Sequence, residues 1–231
     1  MSNRGEKDFI GMPDAGAVMY DRMMKSKSTT LQINEIADFL ASRSNVTRLL
    51  DVGTGHGRLL LAINERNPFL ELYGLDISKA MIKLAEKNLE GIPVSLHLSP
   101  IQDSPFEDDF FDLVTCTGSF YLWNEPQKGL NEIYRILKPG STTYLFETRS
   151  DYDEKALRDG LKVNLKGESI FKRLIMPRFL KKQLSMTYSH DEITEIISHS
   201  LFAENFEIVD ISLANLPIWV RIELFKQPSL F

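Results

Sequence analysis

The segment Leu49-Leu50-Asp51-Val52-Gly53-Thr54-Gly55-His56-Gly57 constrains this chain more than any other. Residues 47–52 read as a short apolar strand, and glycine then takes every second position before Leu59, Leu60 and Ile63 adopt helical spacing. A strand that feeds a helix through bare backbone leaves unpaired N–H groups at the helix start. It also lets a ligand lie against the chain itself. One glycine is enough for a tight strand-to-helix turn. Three at alternate positions, preceded by Asp51 at the strand end, exceed what a turn requires.

The same unit recurs. Residues 70–76 form a second strand candidate, and Ser78 is placed to cap a helix whose apolar positions are Met81, Ile82, Leu84, Ala85 and Leu89, stopped by Gly91. A third strand is expected at 93–98. A fourth, 111–116, is nearly continuous in apolar residues, as in a parallel sheet covered on both faces. Leu130, Ile133, Tyr134, Ile136 and Leu137 make another helix, and Lys138-Pro139-Gly140 predicts a turn before a fifth strand at 142–147. Strand and helix alternating in this way predict an α/β fold with a doubly wound sheet. Upstream, helical spacing is expected around 17–25 and again through Ile33, Ile36, Ala37 and Leu40. Downstream, Ser189 opens a helix through Ile193, Ile196 and Ile197, followed by strands at 206–213 and 218–225.

Residues 151–185 break the pattern: basic and apolar side chains mix with a helical tendency, interrupted at Pro177. From 154 to 182 there are nine basic side chains against three acidic, so this stretch carries +6 while the rest of the chain carries −11. The net charge of −5 argues against a protein that coats nucleic acid over its whole surface. At 231 residues the chain suits one domain, with N-terminal cap helices over about 1–45 and an insertion at about 151–185. No apolar run approaches the roughly 18 residues of a membrane span. The N-terminus lacks the apolar middle of a secretion signal, and the single cysteine, Cys116, forms no internal disulfide and implies no metal site. A cytoplasmic location is the expectation.

The ligand class follows from spacing. The dinucleotide fingerprint is G-x-G-x-x-G, whereas here the run is G-x-G-x-G, with Arg58 where the third dinucleotide glycine would stand. Asp76 closes the second strand 19 residues after Gly57, the distance at which a carboxylate meets the ribose of an adenosine ligand.

From Asp51 to Glu147 the chain resembles the class I S-adenosylmethionine-dependent methyltransferases, in particular the small-molecule group that includes ubiquinone- and menaquinone-type enzymes. The glycine motif carries the resemblance, together with Tyr73-Gly74-Leu75-Asp76-Ile77-Ser78, Phe110-Phe111-Asp112-Leu113-Val114 and Arg135-Ile136-Leu137-Lys138-Pro139-Gly140. The resemblance implies a Rossmann-like sheet of seven strands, mostly parallel and ending in an antiparallel hairpin, with S-adenosyl-L-methionine as cofactor. Gly53 and Gly55 would then lie under the methionine part, Asp51 near its amino group and Asp76 on the ribose. Ile77 would pack on adenine, with Ile101 and Gln102 along its edge and Met81 nearby. Thr117 would face the methionine, and Tyr20 would belong to a closing N-terminal helix. Relatives often carry an acidic residue at the position of Pro100, and Asp103 is the substitute on offer here.

The acceptor is less legible. Tyr20, Tyr121 and His190 are candidate bases or orienters, with His56 and Glu147 behind them. The 151–185 insertion is expected to be a substrate lid, and its mixture of cations and large apolar residues suits an anionic, partly apolar small molecule. It also suits weak membrane association. No stable nucleic-acid complex is expected, and the chain is expected to be a monomer or homodimer. A non-catalytic S-adenosylmethionine-binding regulator or partner protein and a nucleic-acid methyltransferase remain the alternatives; a nicotinamide oxidoreductase is disfavoured by the glycine spacing.

Overall fold

The computed structural model describes residues 26–228. In chain order they form α1 (Lys27–Ala41), β1 (Arg48–Val52), α2 (Arg58–Arg66), β2 (Glu71–Asp76), α3 (Lys79–Asn88), β3 (Val94–Leu98), β4 (Phe111–Thr117), α4 (Pro126–Ile136) and β5 (Leu137–Thr148). Then follow α5 (Glu154–Asn164), α6 (Ile170–Leu184), α7 (His190–Ser198), β6 (Phe206–Leu213) and β7 (Leu216–Phe225). The strands make one sheet in the order β3-β2-β1-β4-β5-β7-β6. Strands β1 to β5 run parallel, and β7 pairs antiparallel with both β5 and β6. The expected Rossmann-like sheet with an antiparallel C-terminal hairpin is therefore present.

Both faces of the sheet are covered, which is why its central strands alternate so little in polarity. On one face Leu50, Val52, Val114 and Cys116 pack with Leu130, Ile133 and Ile136 of α4 and Ile193 and Ile197 of α7. On the other, Leu49, Leu72, Leu113 and Phe146 meet Ile36 and Leu40 of α1, Leu60 and Ile63 of α2, and Ala85 of α3. Caps define the helix starts. Ser26 accepts from the Thr29 N–H and Ser78 from the Met81 N–H. Ser189 and Glu192 form a reciprocal capping box on α7. The β6–β7 hairpin turns on Ala214 and Asn215, both at positive φ, as a two-residue turn matched to strand twist demands.

Two local expectations are corrected. Lys138-Pro139-Gly140 does not separate helix from strand, because β5 begins at Leu137. Pairing of Phe111 with Leu137 and of Leu113 with Thr142 makes residues 138–141 an irregularity within the strand, with Gly140 at φ 79°. Nor does Pro177 interrupt the lid. It lies inside α6, and the break falls at 165–169, where Gly167 is at φ 81°. The carbonyl that loses its donor to Pro177 belongs to Arg173, an exposed residue. The expected helix at 17–25 lies outside the described residues.

Candidate functional site

The chain runs from β1 outward to β3, then returns to β4 on the other side of β1. The carboxyl ends of β1 and β4 therefore diverge, and ligands of open α/β sheets bind in the crevice at such a switch point. Here the crevice is a cavity whose floor is Asp51, Gly53, Thr54, Gly55 and His56 from the β1 end with Thr117 and Gly118 from the β4 end.

The glycines of the loop meet different neighbours. A Cβ on Gly53 would lie 2.1 Å from the Ser119 Oγ, and one on Gly57 would lie 2.8 Å from Leu89, just past the end of α3. Those two glycines allow the protein to close on itself. A Cβ on Gly55 would meet nothing within 4 Å, because that position borders the cavity. Its missing side chain leaves room for something other than protein.

Asp76 holds the loop in place. One carboxylate oxygen accepts from the Gly55 N–H at 2.8 Å and the other from the Ser78 N–H at 2.8 Å. Each oxygen has a second lone pair, so the carboxylate keeps acceptor capacity toward a ligand. Burial raises its pKa, opposed by the Ser78, Gly55 and Ile77 amides. Asp51 is more enclosed, 2% exposed, yet it borders the cavity. Burial pushes its pKa up to about 7, with the Thr54 hydroxyl pulling down and the Asp76 charge pushing further up. A carboxylate in that state gains most from a cation placed beside it.

Several buried polar atoms of the wall have no hydrogen-bond partner: Thr117 Oγ1, Thr148 Oγ1 and the Trp219 indole nitrogen. Such atoms are costly unless a ligand or water satisfies them. Together with the open space over Gly55 and the Asp51 carboxylate, they form a donor and acceptor set that suits a polar ligand, while Asp76 holds the loop from outside the lining. Lys27 and Arg58 supply positive charge on the glycine-loop side.

The far wall belongs to the lid and the hairpin. Leu161, Leu165, Met176, Phe179 and Leu180 line it with Leu216, Ile218 and Trp219, interrupted by Asn164, Glu168 and Gln183. Among the basic residues between 154 and 182 whose side chains are described, none lines the cavity. The described cations of the lid are therefore absent from the lining, and the positive charge there comes from Lys27 and Arg58.

Of the expected site residues, Asp51, Gly53, Gly55 and Thr117 meet in the cavity, with Asp76 bracing its edge. Ile77, Met81, Ile101 and Gln102 follow β2 and β3 along the same edge of the sheet and do not line the cavity; Ile77 is exposed, and Met81 and Ile101 are buried. Tyr121, in a short turn after β4, is buried outside it, and His190, the first residue of α7, is also outside. Tyr20 lies outside the described residues. Glu147 is buried at the end of β5, taking backbone donors from Thr148, Tyr121 and Phe120, and burial lifts its pKa to about 8.

Sequence reasoning missed Gln32, Ile33, Thr148 and Trp219. Thr148 and Trp219 lie 71 positions apart and become neighbours only because β5 and β7 pair in that register. No local signal in the sequence predicts such a contact. Arg58 was visible as the residue after the glycine run.

Comparison with known proteins agrees with this geometry. A family model described as a methyltransferase domain matches residues 50–145. The uncharacterized methyltransferase YdaC of Bacillus subtilis is 36% identical over 92 residues, 40% of this chain and 51% of that protein. A demethylmenaquinone methyltransferase of Lactiplantibacillus plantarum is 37% identical over 164 residues, 64% of this chain and 65% of that protein. For the first curated relatives the match spans only about half of their length. Among solved structures, an S-adenosyl-L-methionine-dependent methyltransferase of Methanococcus maripaludis superposes with a TM-score of 0.72 at 24% identity, covering 100% of this chain and 99% of that one. The plantazolicin methyltransferase BamL, solved with S-adenosylhomocysteine (SAH), superposes with a TM-score of 0.70 at 16% identity, covering 92% and 91%. Residues 50–145 thus form a methyltransferase domain, and the seven-stranded order is that of the Rossmann-like fold of class I S-adenosylmethionine-dependent methyltransferases.

Proposed function

We propose that this chain transfers the methyl group of S-adenosylmethionine to a small-molecule acceptor with an apolar body. The observation that carries the reading is one cavity in which a ligand-ready floor faces an apolar wall. Gly55, Asp51 and the unpartnered Thr117 hydroxyl come from the ends of β1 and β4, and Met176, Phe179 and Leu180 come from α6. The cofactor supplies an electrophilic methyl on a sulfonium, and the chain supplies position. In-line displacement needs little covalent help from the protein, so orientation carries most of the rate.

In this reading Asp51 holds the amino group, Lys27 or Arg58 meets the carboxylate, and Asp76 accepts from the ribose while keeping its grip on Gly55 and Ser78. Ile77, Met81, Ile101 and Gln102 serve the adenine side, and the helices over about 151–185 form the acceptor's lid on a single domain. The lid keeps water from the transferring methyl. Among the described residues that line the cavity, only His56, Glu168, Asp51 and Lys27 carry groups that exchange a proton readily. Asp51 and Lys27 are assigned to the cofactor, and His56 and Glu168 are the candidate acceptor-side bases. The similarity to demethylmenaquinone methyltransferases favours an aromatic acceptor with an apolar substituent.

The test is calorimetric titration of S-adenosylmethionine and SAH into wild type and Asp76→Ala, then methyl transfer to apolar aromatic acceptors. Removing Asp76 deletes a charged acceptor and frees the Gly55 amide, so affinity is expected to fall by about 1.5–3 kcal/mol, roughly ten- to a hundredfold. If neither ligand binds the wild type, the proposal fails and the fold serves another purpose.

A further inference from the structure

The lid has a second face that the cavity does not use. Along α6, Met176, Leu180 and Gln183 share the side that lines the cavity, and Leu184, on the same side, is buried against Leu157, Leu161 and Ile218. Ile170, Leu174, Arg178 and Lys181 follow one another at helical spacing on the opposite side, with Ile175 and Lys182 beside them. Those apolar residues are not covered: Ile170 is 76% exposed, Leu174 58% and Ile175 44%. Val163 of α5 is also uncovered, 59% exposed.

Cations stand among them. Helix α6 contains five basic residues and no acidic one. Asp159 pairs with Lys155 and Lys162, and Glu154 with Lys181. Arg158, Lys166, Arg173, Arg178 and Lys182 have no carboxylate partner among the described residues. A globular surface that leaves isoleucine and leucine in water marks an interaction site, and the unpaired cations among them suit a negatively charged partner.

We infer that the outer face of α6, with the end of α5, docks on an anionic phospholipid bilayer. The charge distribution selects this partner and its orientation. The stretch from 154 to 182 carries +6 while the remainder carries −11, so a negative surface attracts the lid and repels everything else. Nucleic acid would use the cations but give no return for exposed Ile170, Leu174 and Ile175, whereas a bilayer takes both. No helix among the described residues is long and apolar enough to cross a membrane, so the contact is peripheral. Given the proposed methyl transfer, docking would set the cavity wall of Met176, Phe179 and Leu180 next to the lipid, and an apolar acceptor would reach it without crossing water.

The experiment is flotation of the full chain with vesicles of phosphatidylcholine alone or mixed with phosphatidylglycerol, at low and high salt. Two variants accompany wild type: Ile170→Ser/Leu174→Ser/Ile175→Ser, and Arg173→Gln/Arg178→Gln/Lys182→Gln. None of the six positions lines the cavity, so SAH affinity and thermal melting report whether each variant is folded. Binding is expected only with phosphatidylglycerol, weakened by salt, and reduced about tenfold or more by either variant. Equal binding to neutral and anionic vesicles, or to neither, overturns the inference. So does unchanged binding by two folded variants. Two further outcomes also overturn it. One is tight binding to single-stranded or duplex oligonucleotides that only the charge variant loses. The other is a concentration-dependent dimer that the apolar variant dissolves in the absence of vesicle binding. If wild type binds vesicles but not SAH, the docking stands and the methyltransferase proposal falls, so the two failures are separable.

Discussion

The cavity floor between Asp51 and Ser119 and the lid over 154–184 enclose the same space, yet they are built by different means. The floor consists of strand ends. Gly53 and Thr54 both donate to the Leu75 carbonyl, Asp76 bonds Gly55 and Ser78, and Ser119 donates to the Val52 carbonyl. The lid rests on a small cluster, Leu157, Leu161, Leu184, Leu216 and Ile218, and on the Asn164 amide, which donates to the Ala214 carbonyl and to Ser28. Backbone geometry fixes the first, and side-chain contacts seat the second. A cofactor common to many enzymes needs the same floor each time, whereas acceptors differ and are met by a surface that can change without disturbing the sheet.

The strongest way to break this contrast is to add one methyl group to the floor. Gly53→Ala would place Cβ 2.1 Å from the Ser119 Oγ at φ 72°, combining left-handed strain with overpacking for a loss of about 3 kcal/mol or more. Thermal melting should drop by many degrees, and SAH binding should vanish. Gly55→Ala separates fold from function. Its Cβ meets no protein atom and its φ is 53°, so stability should fall by only about 1–2 kcal/mol, while binding is lost because the methyl fills ligand space. Unaltered SAH affinity in a folded Gly55→Ala would remove the floor from the binding site.

How much of this was legible in the sequence follows the same division. The glycine run, Asp76 and the helix caps are local signals, and each stands where its spacing put it. Thr148 and Trp219 were not visible, because their meeting depends on an antiparallel pairing between distant strands. The lid misled twice. Pro177 was read as a break although an exposed helix tolerates the missing bond. Its cations were read as suiting an anionic acceptor, yet the described ones are absent from a lining that is largely apolar on the lid side. Composition reports which residues are present, and a lid apolar on both faces gives no periodicity to say which side looks inward.

Acidity sharpens the comparison next, since the floor holds a carboxylate that burial shifts toward neutral pH. If Asp51 pairs with the cofactor's amino group, its carboxylate must be charged, and burial holds the free-state pKa at about 7. Affinity for SAH should therefore be level above about pH 7 and fall about tenfold per unit below it, with Asp51→Asn weak at every pH. Stability of the unliganded protein runs the other way. Asp51 and Glu147, at about 7 and about 8, bind protons more tightly folded than unfolded. The folded state thus holds extra protons between about pH 4 and about pH 8, and stability declines as pH rises through that window. Asp112 and Glu132, whose pKa values are lowered, contribute the opposite slope only near and below their ordinary range. Melting temperatures across that window, with Glu147→Gln alongside, measure the effect. A flat affinity profile would dissociate Asp51 from the cofactor.

The smallest expected effect tests whether the lid is separable from the floor. Asn164→Ala removes the amide that ties the end of α5 to Ser28 and to the Ala214 carbonyl. Ala214 is almost fully buried, so its carbonyl loses a donor that water cannot readily replace, at a cost of about 1–2 kcal/mol. Hydrogen exchange should rise in α5 and α6 and stay unchanged in β1, β4 and α2. SAH affinity should move by less than about threefold, because Asn164, although it borders the cavity, spends its amide on Ser28 and the Ala214 carbonyl and not on the floor. Were exchange to rise equally in β1 and β4, lid and floor would open as one unit. The acceptor surface could then not change independently of the cofactor site, and the division of labour drawn above would be wrong.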